Sequence, residues 1–92
     1  MEKFIATYRK NGKIKYFKVD AYRIGAAEFT AKRRVANEGV QLRSLCGGDA
    51  ASKLVECIER YDGEVTNVKV NSEENMLEVY IKDEIVAHVK LD

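Results

Sequence analysis

Asn11-Gly12 lies between two runs of alternating residues, FIATYR and IKYFKV, and no other dipeptide constrains this 92-residue chain as strongly. Both residues accept the positive φ angles that a two-residue hairpin turn demands, so the runs are expected to pair as antiparallel strands. That loop sets Tyr8 opposite Lys15, Ala6 opposite Phe17 and Phe4 opposite Val19. One face of the hairpin then carries Phe4, Ala6, Tyr8, Phe17 and Val19, an apolar set that must be covered. The other carries Ile5, Thr7, Arg9, Ile14, Tyr16 and Lys18, with Lys10 and Lys13 at the tip, and reads as a mixed, basic and partly aromatic surface.

The covering element follows directly. After Asp20, read as an N-cap or its neighbour, residues 23–37 contain good helix formers and no proline, and Gly39 stands where a left-handed terminator is favoured. Ile24, Ala27, Ala31 and Val35 recur at helical spacing and form one narrow stripe, small enough at its centre for close packing on a sheet. Phe29 points well away from that stripe, given about 100° of rotation per residue, and shares its side with Lys32, Arg33 and Ala36. An aromatic turned outward beside arginine has the composition of a protein-binding hot spot.

VQLRSLC (residues 40–46) alternates Val40, Leu42 and Ser44 against Gln41, Arg43 and Leu45 and predicts a third strand, ended by Gly47-Gly48. Asp49 then reads as the N-cap of a second helix over residues 50–61. Its apolar side is Ala50, Leu54, Cys57, Ile58 and Tyr61, its polar side Lys53, Glu56, Glu59 and Arg60, and Asp62-Gly63 closes it. Three strands follow, at 65–70, 76–82 and 85–91, with NSEEN as the loop between the first two. A three-residue loop at Lys82-Asp83-Glu84 keeps the apolar sets together, aligning Leu77, Val79 and Ile81 with Val89, Ala87 and Ile85 and leaving Glu78 opposite His88. The predicted architecture is α+β: a two-layer sandwich in the order ββαβ-αβββ, with a largely antiparallel sheet and both helices on one face.

Ninety-two residues hold one core, so residues 1–92 are expected to form a single domain. No run approaches the roughly 20 apolar residues of a membrane span, and the start, MEKFIATYRK, lacks the apolar run of a signal peptide. The expected setting is the cytoplasm, without membrane contact. Cys46 and Cys57 lack the spacing of a zinc site and read first as free thiols, second as a disulfide. Net charge is +1, yet residues 1–46 hold 11 Lys/Arg against 4 Asp/Glu and residues 47–92 hold 5 against 11. If the fold separates the halves, one pole attracts phosphate and the other basic protein.

No reaction is announced. His88 across from Glu78 reads as a cross-strand pair rather than a general base, since a nucleophile and an oxyanion donor are not in evidence. Cys46-Gly47-Gly48-Asp49 could offer helix-start amides to an anion and lower a thiol pKa, but Asp49 competes with its own charge, and a turn with a cap is the simpler reading. Glu56, Glu59, Asp62, Glu64, Glu73 and Glu74 match no metal-binding spacing and read as a solvated acidic surface, or alternatively as one that occupies a partner's groove that normally binds nucleic acid. No catalytic residue, metal or cofactor is therefore expected. The candidate interaction surface is Arg9, Lys10, Lys13, Lys15, Tyr16, Lys18, Phe29, Lys32, Arg33 and Arg34, which combines positive charge with planar side chains.

Residues 3–46, containing FIATYRKNGKIKYFKVDAYRIGAAEFTAKRRVANEGVQLRSL, resemble a ββαβ module in which a hairpin leads through Val-x-Ala into an alanine-cored helix, then glycine and a strand. Similar segments occur in small phage-encoded proteins, including some anti-CRISPR inhibitors, and in an N-terminal module of secretion-system membrane proteins. The phage resemblance implies a cytoplasmic, non-catalytic inhibitor that blocks a host nuclease or defence complex by protein contact. The second reading, from the charge map, is a nucleic-acid-binding regulator using the basic N-terminal half. Association with further copies of the chain is a third expectation, because a hairpin edge can extend a sheet.

Overall fold

The hairpin forms in the expected register. In the computed structural model, which describes residues 1–91, β1 (Glu2–Lys10) and β2 (Lys13–Ala21) pair with Phe4 opposite Val19, Ala6 opposite Phe17 and Tyr8 opposite Lys15. Asn11 and Gly12 adopt φ of 54° and 76°, the left-handed pair that lets a two-residue turn follow the strand twist. Then come α1 (Ile24–Asn37), β3 (Leu42–Gly47), α2 (Gly48–Arg60), β4 (Asn67–Asn71), β5 (Met76–Ile81) and β6 (Glu84–Lys90). The α+β class and the ββαβ-αβββ order are those predicted.

The layering differs from the prediction of one sheet with both helices on one face. The described residues form two antiparallel three-stranded sheets, ordered β2-β1-β3 and β4-β5-β6, and the helices occupy opposite faces of the first. Alternate residues of β1 explain why. Phe4 and Ala6 join Phe17, Val19 and Ala21 beneath Ala27, Ala31 and Val35 of α1, while Ile5 faces the other way into a cluster with Ala50, Ala51, Leu54, Cys57 and Ile58 of α2. That second cluster also takes in Val68, Leu77, Val79 and Val89, so the second sheet and α2 together cover the far side of the first sheet. A hairpin with apolar residues on both faces needs a cover on each, and one helix can supply only one.

The hairpin face carrying Ile5, Thr7 and Ile14 is accordingly an interior face and not the open surface predicted. Thr7 and Ser44 are buried there, and their hydroxyls bond each other at 2.6 Å, which removes the cost of two unpaired polar groups. Near the tip the Ile14 amide donates to the Val65 carbonyl at 2.8 Å, tying the hairpin to the segment that precedes β4.

Local departures have local causes. The third strand starts at Leu42 and not Val40, and a register shift opposite Thr7/Tyr8 interrupts its alternation. Leu42 and Leu45 therefore both pack towards α1 while Ser44 meets Thr7, although Leu42 and Ser44 were expected on one face. Ile24 begins the predicted α1 stripe but is exposed, so the buried part of the stripe starts at Ala27. Neither helix uses the predicted cap: the capping positions are Arg23 and Gly47, without a side-chain bond, while Asp20 lies in β2 and Asp49 in the first turn of α2. Gly39 takes the left-handed conformation expected after α1, with φ of 70°.

In the second sheet Leu77 opposes Val89, Glu78 opposes His88 and Val79 opposes Ala87, as predicted. Beyond Val79 a bulge shifts the pairing to Tyr80 with Ile85 and Ile81 with Glu84, which shortens the turn to Lys82-Asp83. Lys82 meets the turn's demand with a φ of 58°, and its amide donates to Thr66 Oγ1 at 2.8 Å. Among the described residues no helix is long and apolar enough to cross a membrane.

Candidate protein-binding surface

The layer order turns the uneven charge of the sequence into an uneven surface. The first sheet and α1 come from the basic half, and α2 with the second sheet from the acidic half; α1 covers one side of the first sheet, and α2 with the second sheet covers the other. Beyond the shared core, among the described residues two polar side-chain contacts join the halves near the hairpin tip. Lys13 Nζ lies 3.3 Å from Glu64 Oε1, and the Tyr16 hydroxyl donates to Glu59 Oε1. Bonding to the Glu59 carboxylate, then burial and that carboxylate's charge, raise the Tyr16 pKa.

On α1 the stripe Ala27, Ala31 and Val35 is buried, which fixes the opposite side as solvent-facing. Phe29 is 65% exposed there, as its helical position predicts. Its ring is not isolated: the Arg33 guanidinium carbon stands 5.8 Å from the ring centroid, one turn away. Lys32 Nζ pairs with Glu28 Oε1 at 2.9 Å, an exposed i,i+4 contact. Thr30, Arg34 and Asn37 join Phe29 and Arg33 around a shallow depression. Thr30 and Asn37 are absent from the sequence-derived candidates; the spacing Thr30, Arg33, Arg34, Asn37 repeats the helical period and was the signal that could have found them.

The ten candidates do not form one surface. Phe29, Lys32 and Arg33 lie on the outer side of α1, and Arg34 reaches from α1 over the Phe17 ring, 4.1 Å from its centroid. Lys15 is two residues from Phe17 on the same side of the hairpin, with Lys10 and Lys13 paired at the tip. Tyr16 and Lys18 point to the opposite face, Tyr16 onto α2 and Lys18 to the rim of an apolar groove floored by Ile5, Ala51 and Val55. Arg9 lies beside Gly39, Val40 and Arg43 at the tip end of the sheet.

The remaining chemical candidates are accounted for by their neighbours. Glu78 accepts from Tyr80 Oη at 3.1 Å and from Asn71 Nδ2 at 3.3 Å, one on each carboxylate oxygen, and among the described residues it makes no bond to the opposed His88. Tyr80 is in turn raised in pKa, first by desolvation and then by that carboxylate. Cys46 and Cys57 are both buried free thiols. Burial pushes Cys46 from 9.0 up to about 11, opposite to the lowering that a helix-start thiol would show. Cys57 is also raised by burial, against a lowering influence from Arg60. Among the described residues no three metal-binding side chains converge.

Cys46 yields a direct test. At pH 8 it is expected to react with a thiol reagent only at the rate of protein opening, whereas the denatured chain reacts at once. Because its folded pKa lies above the unfolded one, its contribution to stability is complete below pH 9 and is lost as pH rises towards about 11. Thermal melts across that interval should fall more steeply for the natural chain than for Cys46→Ala.

No family model, curated protein or solved structure matches this chain. Its surface chemistry therefore carries the functional reading.

Proposed function

We propose that the chain is a small non-catalytic binding protein that acts by protein contact through the outer side of α1, as phage or mobile-element inhibitors of host nuclease or defence complexes do. The observation that carries this reading is the exposed Phe29 ring with the Arg33 guanidinium resting against it. Holding a large apolar ring in water is unfavourable, and a partner that covers Phe29 recovers most of the transfer free energy, about 1.5–3 kcal/mol. Arg33 is already held near the ring, so little rotamer freedom is lost when both become buried. The similarity of residues 3–46 to the phage ββαβ module supports the choice of partner class, a nuclease or its assembly.

Phe29, Lys32 and Arg33 changed together to alanine should abolish capture of the partner from nuclease-treated host lysate. The melting temperature should change little, since exposed substitutions usually alter stability by about 0.5 kcal/mol or less. Undiminished capture removes this face from consideration.

A second reading, nucleic-acid binding, rests on Lys10, Lys15, Arg33 and Arg34, which form no carboxylate pair among the described residues and lie at the hairpin tip or towards α1. Against it, Lys13 and Lys32 are each matched with a glutamate, and Tyr16 and Lys18 face away. The nuclease step separates the readings, because capture through nucleic acid disappears on digestion.

A further inference from the structure

β2 is an edge strand whose outer backbone groups can be identified by name. The two-residue turn makes Lys10 and Lys13 the first opposed pair, so Lys13, Lys15, Phe17 and Val19 exchange bonds with β1 while Ile14, Tyr16, Lys18 and Asp20 direct their amides and carbonyls outward. The Ile14 bond to Val65 shows that outward direction and closes the edge at the tip. Among the described residues, the amides of Tyr16, Lys18 and Asp20 have no hydrogen-bond partner. α1 and α2 cover the faces of the sheet, and away from the tip, where β2 meets the segment at Val65 and β4, Lys18 and Asp20 are exposed along this edge.

We propose that a second copy of this chain adds to that edge, joining two three-stranded sheets into one of six strands about a two-fold axis at Val19. The charges along β2 select the register. With the axis at Val19, Lys18 stands opposite Asp20 of the second copy and Asp20 opposite its Lys18, giving two symmetry-related attractive pairs with both sets of outward backbone groups matched. Tyr16 then lies across from the exposed Tyr22 of the second copy. An axis at Lys18 would set lysine against lysine, and one at Asp20 would set aspartate against aspartate. An axis at Phe17 would require the Ile14 amide, which Val65 occupies. A lysine on an edge strand commonly prevents pairing, but here the aspartate two residues on converts it into a selector of one antiparallel alignment. The outer side of α1 plays no part, so this association is independent of the contact proposed for Phe29.

The test is a charge exchange read by sedimentation equilibrium over a wide range of protein concentration, with melting temperature recorded for each variant. The natural chain should associate to a dimer. Lys18→Asp and Asp20→Lys each replace both attractive pairs with repulsive ones and should raise the dimer dissociation constant about tenfold. Combining the two substitutions restores opposite charges with their signs reversed and should return the constant to within about threefold of the natural one. A natural chain that stays monomeric at the highest concentration overturns the proposal. So does dimerisation unaffected by either single substitution, or a folded double variant that fails to recover. Where a single variant melts early, the folded double variant decides.

Discussion

Leu54→Ala is expected to lower the unfolding free energy by about 3–5 kcal/mol, the upper part of the range for removing a leucine side chain from a close-packed interior. Leu54 is fully buried at the centre of α2, within the cluster that contains Ile5 and Cys46 from the first sheet and Val68, Leu77, Val79 and Val89 from the second. The cavity would therefore open where three elements meet. None can close it without moving away from another, so relaxation should be small and the penalty near its maximum. Urea denaturation would show the midpoint falling with an unchanged slope. Val55→Ala, on the half-buried flank of the same helix, should cost far less. Equal effects at the two positions would mean that α2 does not join the two sheets as described.

Most of what defines this fold is local in origin and could be read from the chain. Asn11-Gly12 sets its own turn geometry, and the hairpin register follows from it without knowledge of anything further along the sequence. The apolar stripe of α2 and the alternation through Leu77 and Val79 are likewise carried within single elements. The assignment of both helices to one face failed because periodicity says which residues share a side, not what comes to rest against it. Ile5, Thr7 and Ile14 share their face with Arg9, Tyr16 and Lys18, and that mixture fits a wet surface as readily as an interior face covered over only part of its width. The bulges opposite Thr7/Tyr8 and at Val79/Tyr80 are settled by burial of Leu42 and Leu45 and by the Lys82 turn, which no single strand encodes.

The candidate surface divides along the same line. Phe29 was legible because a helix with a well-marked inner stripe fixes its outer side by rotation alone. The hairpin lysines were not separable in the same way. Lys15 and Lys18 are three residues apart on one strand and hence on opposite faces, and only the positions of α1 and α2 give those faces different neighbours. Charge polarity had a simpler basis: with the basic half supplying α1 and its sheet, and the acidic half supplying the layer beneath, an asymmetry along the chain becomes one across the molecule. An acidic molecule would be drawn at long range to the α1 side, and that attraction should weaken as salt shortens the reach of these charges to about 8 Å at physiological ionic strength.

Ile14→Asp should destabilise the chain by about 3 kcal/mol or more at neutral pH, because it places a carboxylate where burial is almost complete, and the cross-strand Arg9, an exposed side chain near the hairpin tip, offsets only part of that desolvation cost. Ile14 is 2% exposed, packed in the cluster with α2 and the second sheet, and its amide is bound to Val65. On the open face that alternation alone predicts, the same change would cost little, so one variant distinguishes an interior hairpin face from a solvated one. The sign of the pH dependence adds a second check. Burial raises the folded-state pKa of the introduced carboxyl above its unfolded value near 4, so the folded form holds the proton more tightly and the penalty shrinks as pH falls from 7 towards 4. Urea midpoints at pH 7 and pH 5, each compared with the natural chain at the same pH, would show the gap narrowing. A small gap at pH 7 with no change on acidification would detach the second sheet from the hairpin, and with it the separation of charge on which the α1 surface depends.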